Sequence, residues 1–435
     1  MFNLKTSNII NEHNPIFFLK KHYPEYIVPE VQSVITARPK RSNKLIILVT
    51  IIVTDSVKTN EHKKTRKELL LNSVKIGKIG GNLFGATPPS AFVGRMGYPN
   101  VFAGPLVSPL IDDPKMFDMP ESWLTLKRED IVEIRSNLVR SNFKLNVADA
   151  MDPTRLLLET QELAMSELPI DVEIKFIKSP KTELNFDKIT APMGPSGIIS
   201  DIQILESPKV PKKIDNLVYD IDIKASEAVS ELYRYGVSPY QISRLLSVGL
   251  LGRKRLIVPT RWSITAVDTI IGNAMLKRIK TYPEIDEVNL FISEGFGNHF
   301  EVILIPNHYC FGWTELWITD NGKVEIGDLY ENYDGKSSSM DGGYFAARFS
   351  TLEYLNNIKK QASIYIIREV QPTYDIPLGS WVIRELVRDA FRHDPLKFES
   401  LAEALKSTAT RINTALINTI FLNKHLLQKT IFDFF

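Results

Sequence analysis

The sequence predicts a mixed α and β (α+β) protein, with a β meander and helices in one large body that carries a C-terminal peptide tail. Ile170 to Phe176 alternates, with Ile170, Val172, Ile174 and Phe176 on one face and Asp171, Glu173 and Lys175 on the other, the period of a half-buried strand. Strand-like runs at Val288 to Ser293, Phe300 to Ile305 and Thr314 to Thr319 precede Asp320-Asn321-Gly322-Lys323, a hairpin turn into Val324 to Tyr330. Apolar residues at helical spacing, such as Ile131, Ile134 and Leu138 within Lys127 to Arg140, add helices to these strands.

The remaining elements follow in chain order. Residues 1–71 mix aromatic clusters with basic stretches and show no sustained period, so they read as an irregular basic lead-in, with a buried strand at Leu45 to Val53. A body is expected over 72–420 and a flexible tail over 421–435. Ile79 to Pro109 is dense in Gly and Pro yet carries Phe92, Val93, Tyr98, Val101 and Phe102, which suits a loop packed beside a site, with Arg95 as its cation and a candidate phosphate ligand. Asp152-Pro153 reads as a cap and first position of a helix reaching Ser166. Ile198 to Leu205 reads as a strand, Gly342 to Lys360 as a helix, and Ser363 to Val370 as a strand; Arg384-Glu385 sits at a further helix, and the chain from Leu396 looks helical.

The middle of the chain carries most of the candidate chemistry. Leu217 to Lys224 alternates, and as a strand it would set Asp220, Asp222 and Lys224 on one face, where two carboxylates could hold Mg²⁺ or Mn²⁺ while the amine polarises a water. A solvated charged face writes the same pattern. Two short helices, Ala225 to Tyr235 and Pro239 to Val248, joined by Gly236-Val237-Ser238, have a helix-turn-helix shape that would present Tyr240, Gln241 and Arg244; a helical hairpin in the core would look alike. Arg253, Lys254 and Arg255 follow as a basic loop, and Arg261 with Trp262 precedes a helix from Ile264, whose N-terminal end favours anions. These cations, with Arg95 and Arg244, are the candidate DNA contacts.

Composition limits the alternatives. Fifty-three Lys and Arg against fifty-one Asp and Glu give a formal net charge of +2, so any nucleic-acid contact must come from local patches. A single cysteine, Cys310, excludes an intramolecular disulfide and a cysteine-cluster zinc site. No apolar run approaches the roughly 20 residues of a membrane helix, and no targeting segment is evident, so the cytoplasm is the expected compartment.

Gln428-Lys429-Thr430-Ile431-Phe432-Asp433-Phe434-Phe435 reads as a portable docking peptide. In a 3₁₀ turn residues three apart eclipse, so Ile431 and Phe434 share a face, Phe435 splays beside them and Gln428 supplies a polar contact. The string matches Gln-x-x-(Ile/Leu/Met)-x-x-aromatic-aromatic, the box by which proteins bind the replication sliding clamp (PCNA).

Four further strings carry a family resemblance: Phe92-Val93-Gly94-Arg95 with Gly97-Tyr98-Pro99; Arg255 with Val258 to Asp268; Gly342-Gly343-Tyr344 with Arg348; and Pro377-Leu378-Gly379 with Trp381 and Arg384-Glu385. Over roughly Gly80 to Arg392 the chain resembles the archaeal Nre DNA-repair family, whose members also end in a clamp-binding box. One branch carries an N-terminal cysteine zinc motif; with Cys310 alone, this chain is similar to the zinc-less branch. The resemblance implies a repair factor recruited to the clamp after DNA damage and implies no catalytic residue. Two alternatives stand beside it: a metal-dependent nuclease-like enzyme using Asp220, Asp222 and Lys224, and a non-catalytic DNA-binding adaptor.

Overall fold

The computed structural model describes residues 34–36, 48–51, 79–109, 114–333 and 342–412. Two short strands, β1 (Val34–Thr36) and β2 (Leu48–Ile51), come first and join the larger of two sheets. β2 falls within the strand expected at Leu45 to Val53.

The smaller sheet contains β3 (Asn82–Thr87), β4 (Ala91–Val93), β5 (Asn100–Val107), β6 (Val139–Asn146), β7 (Ile170–Phe176) and β8 (Ser196–Ile204), in the order β3-β7-β8-β6-β5-β4. Its ends meet. Ala86 and Ser108 exchange backbone hydrogen bonds of 3.0 and 2.8 Å, and Leu106 N–H donates to the Ser90 carbonyl at 2.9 Å, so the sheet closes into a barrel. Leu83, Val101, Phe143, Val172, Ile174 and Ile202 fill the interior. Two helices are inserted: α1 (Arg128–Ser136) between β5 and β6, and α2 (Arg155–Met165) between β6 and β7, which covers one barrel end with Leu157 and Leu163.

The Gly- and Pro-rich stretch expected to be a loop is therefore largely strand. Its glycines have a geometric cause: a Cβ on Gly85 would overlap the Ser108 carbonyl, and one on Gly104 would overlap that of Ser141. Such close backbone approach is what glycine permits in the wall of a small barrel. The α2 cap is also displaced, from Asp152 to Thr154.

Beyond the barrel lie α3 (Lys212–Tyr219), α4 (Ala225–Arg234), α5 (Pro239–Ser247) and the long α6 (Thr260–Ile279). Next come β9 (Val288–Gly295), β10 (Asn298–Ile305), β11 (Cys310–Ile318) and β12 (Val324–Glu331), then α7 (Gly342–Ile358), β13 (Ser363–Val370), α8 (Trp381–Ala390), β14 (Leu396–Phe398) and α9 (Leu401–Thr408). The larger sheet runs β1-β2-β12-β11-β13-β10-β9-β14. The expected hairpins form, but β13 enters between β10 and β11, antiparallel to the first and parallel to the second, and splits the meander. A strand covered on both faces can be continuously apolar, and Ile364, Tyr365, Ile366 and Ile367 are all buried. Helices α4 to α8 pack on one face of this sheet and α9 on the other.

Leu217 to Lys224 is not a strand. Ile214, Leu217 and Val218 are buried at helical spacing in α3, and this longer period overrides the local alternation. Asp220 then turns the chain, its Oδ1 accepting the backbone N–H of Asp222 at 3.0 Å and of Ile223 at 3.1 Å.

Candidate nucleic-acid interface

The expected cations divide according to what surrounds them. Helices α4 and α5 form the anticipated pair: Gly236 has φ +84°, and the Ser238 side chain accepts the Tyr240 N–H. The helix expected to face DNA is instead turned inward, with Ile242 and Leu245 fully buried. Gln241 donates to the Ser166 carbonyl at 3.1 Å and Tyr240 to Glu385 at 2.8 Å. Arg244 donates to Asp118 Oδ2 at 2.9 Å, and Arg135 donates to Oδ1 of the same carboxylate at 2.7 Å. Burial acts to raise the Asp118 pKa, but the two guanidinium charges hold it below the ordinary aspartate value. Arg244 therefore serves the interior, the outcome a core hairpin would give.

Arg253 and Lys254 are exposed, whereas Arg255 turns back to donate to the Val218 carbonyl. Lys224 pairs with Glu227 at 3.6 Å, and Asp220 is occupied by its turn, so the strand face on which a nuclease-like site would rest is absent. Among the described residues no cluster of three or more His, Cys, Asp or Glu is placed to hold a metal ion.

The family-like strings of the C-terminal half lie inside. Arg384 donates both carboxylate bonds of Asp268 through Nη2, each 2.6 Å, and stacks over Tyr240 with its guanidinium carbon 4.6 Å from the ring centre. Burial pushes the Asp268 carboxyl up against the pull of Arg384. Arg348 grips Glu331 at 2.7 and 2.9 Å, and Tyr309 and Tyr344 donate to the same carboxylate. A Cβ on Gly272 would lie 2.8 Å from Arg348 Nη1, so close packing of α6 on α7 depends on that glycine.

The strings at Phe92 to Pro99 and Arg261-Trp262 meet on the surface. The β4–β5 loop is held by Gly94 N–H to the Phe102 carbonyl at 2.8 Å and Asn100 N–H to the Gly97 carbonyl at 3.0 Å, with Gly97 at φ +82°. Thr260 Oγ1 accepts the Val93 N–H at 2.8 Å and fixes the start of α6 against the hairpin. Tyr98 and Trp262 then lie with ring centres 5.2 Å apart while remaining 51% and 45% exposed. Arg95 is exposed and has no side-chain partner among the described residues. Arg261 donates to Asp187 Oδ2 at 2.7 Å, and Oδ1 accepts the N–H groups of Ile189 and Thr190, which ties the loop between β7 and β8 to α6.

Two residues beside this patch were missed: Arg140 and Lys144. Alternation of Val139, Ser141, Phe143 and Leu145 with Arg140, Asn142, Lys144 and Asn146 was available in the sequence and marks β6 with these cations on its outer row. Lys144 pairs across the sheet with Phe102, which is 41% exposed, and Arg140 lies over Phe92 with 5.8 Å between guanidinium carbon and ring centre. The docking residues Gln428, Ile431, Phe434 and Phe435 lie outside the described residues.

The chain belongs to the archaeal Nre family: residues 65–321 match the model of its N-terminal region and 330–434 that of its C-terminal region. It is 41% identical to DNA repair protein NreA of Archaeoglobus fulgidus over 345 residues, covering 77% of this chain and 86% of the relative. DNA repair protein NreB of the same organism is 34% identical, with 81% and 92% covered, and DNA repair protein NreA of Haloferax volcanii 33% identical, with 82% and 89% covered. No solved structure matches the chain significantly.

Proposed function

We propose that this protein is a cytoplasmic DNA repair factor that binds DNA and docks on the sliding clamp (PCNA) through Gln428 to Phe435. The observation that carries the repair role is the 41% identity, across 86% of its length, to a relative named as a DNA repair protein. The clamp assignment rests on the spacing of Gln428, Ile431, Phe434 and Phe435, and the single Cys310 fits the zinc-less branch. A short peptide spends part of its contact energy on becoming ordered, so micromolar affinity is expected, about −8 kcal/mol.

Calorimetry of the clamp against the full chain and a Phe434→Ala/Phe435→Ala variant tests this. Removing two aromatic anchors should cost several kcal/mol and abolish detectable binding. Undiminished binding by the variant would refute the docking peptide. A non-catalytic adaptor is the favoured mode, because Arg95, Arg253 and Lys254 are exposed cations while Asp220 and Lys224 are engaged by their own neighbours.

A further inference from the structure

We propose that the outer face of β5 and β6, with the loop 94–99, binds single-stranded DNA, its bases stacking on Phe102 and Tyr98 and its phosphates meeting Lys144, Arg140 and Arg95. The first support is topology. Asn82 to Val93 behaves as one bent strand, broken at Pro88-Pro89, that pairs with β7 through its first half and with β5 through its second. Counted as strand one, with β5 to β8 as strands two to five, the barrel closes in the order 1-2-3-5-4-1. Strands three and five are parallel, the other pairs are antiparallel, and α2 covers the barrel end between strands three and four. These are the connections of an OB-fold, which binds oligonucleotides on the face of strands two and three and between the loops 1–2 and 4–5.

The second support is the chemistry of that face. Outward positions of β5 and β6 include Asn100, Phe102, Arg140, Asn142, Lys144 and Asn146, without a carboxylate, whereas β7 turns Asp171 and Glu173 outward together with Lys175. Positive charge and exposed rings thus coincide on the strands that an OB-fold uses. Loop 94–99 adds Arg95 and Tyr98 and is braced by Trp262, and the loop between β7 and β8 adds exposed Lys178 and Lys181 against the single exposed carboxylate of Glu183, while its Lys188 lies over the Trp317 ring. Protruding rings suit bases released from a duplex, because every base offers a π face, while cations track the backbone. The inference deepens the proposed function and rests on it for DNA over RNA; the single-strand preference comes from the barrel.

The test is fluorescence anisotropy of the full chain with a labelled thymine oligonucleotide of about 15 nucleotides, the matching duplex, and a uracil ribo-oligonucleotide. Single-stranded DNA should bind at least about tenfold tighter than duplex. Phe102→Ala and Tyr98→Ala should each weaken it about 5- to 100-fold, the effect of one lost stacking platform. Melting temperatures should stay near the wild-type value, since both rings are exposed. Lys144→Ala should lower the slope of log affinity against log salt by about one. Equal affinity for duplex, or unchanged affinity in the Phe102→Ala/Tyr98→Ala double variant, would overturn the proposal, and tighter binding of the ribo-oligonucleotide would overturn the choice of DNA. Clamp binding, read separately, should survive these substitutions; its loss only in the Phe434→Ala/Phe435→Ala variant leaves the barrel face standing, and its absence in the wild type refutes the tether alone.

Discussion

The two sheets of this protein use arginine in opposite ways. In the barrel the interior core is apolar, and on the outer row Lys144 stands opposite exposed Phe102 and Arg140 lies over Phe92. Against the eight-stranded sheet, Arg348, Arg368 and Arg384 are 3%, 4% and 2% exposed, each held by a carboxylate at 2.6 or 2.7 Å. A charge buried in this way requires its partner, because desolvation of either ion alone is not compensated. The family-like residues Asp268, Arg348, Arg384 and Glu385 therefore frame the fold, while those at Arg95 to Pro99 and Trp262 face solvent. Family-like strings alone do not mark a site; what surrounds each of their residues does.

The sharpest way to break the contrast is to remove one buried partner. Arg384→Ala leaves Asp268 buried without its bidentate donor, and chemical denaturation should show a loss of about 3–5 kcal/mol. Arg95→Ala, on the surface, should change stability by no more than about 0.5 kcal/mol. Equal effects would mean that the two environments do not differ.

A smaller loss is expected in the barrel wall. Gly104→Ala places a methyl group against the Ser141 carbonyl, and the strain should cost about 1–3 kcal/mol. Gly81→Ala, where no atom lies within 4 Å of the added carbon, should be close to neutral in the same denaturation assay.

The smallest effect is one of pH. Asp118 has a folded-state pKa below its ordinary 3.8, so its ion pairs with Arg135 and Arg244 contribute stability that is full above the unfolded value. That contribution falls away as pH drops through 3.8 toward the depressed folded value. Denaturation midpoints measured from pH 6 downward should therefore decline less steeply in acid for Asp118→Asn than for wild type, from a lower starting stability at neutral pH. An identical slope would remove Asp118 from the linkage.

Strands with clean alternation were legible in the sequence, as Ile170 to Phe176 and the hairpin at Asn321-Gly322 show. The barrel as a whole was not. Its first two strands are written in Gly and Pro, because glycine is required where backbones nearly touch and Pro88-Pro89 stands at the bend, and both residues read locally as loop. The helical pair α4 and α5 was legible, but its orientation was not: Arg244 looks like a surface cation until Asp118, 126 residues away, meets it. Asp220 to Lys224 failed for a related reason, since an alternation of a few residues cannot outweigh the helical burial of Ile214, Leu217 and Val218 just before it. Tyr98 and Trp262 were each visible as isolated aromatics; it is the fold, with Val93 bonded to Thr260, that brings them together.

The central claim is that the exposed barrel patch, and not the inward-facing helical pair, meets DNA. Amide hydrogen exchange of the full chain, followed with and without a saturating thymine oligonucleotide, tests it in one measurement. Slowed exchange is expected in 94–102 and 139–146, with 239–247 unchanged. Protection concentrated in α5, with the β5–β6 face and its loop exchanging as in the free protein, would contradict the account.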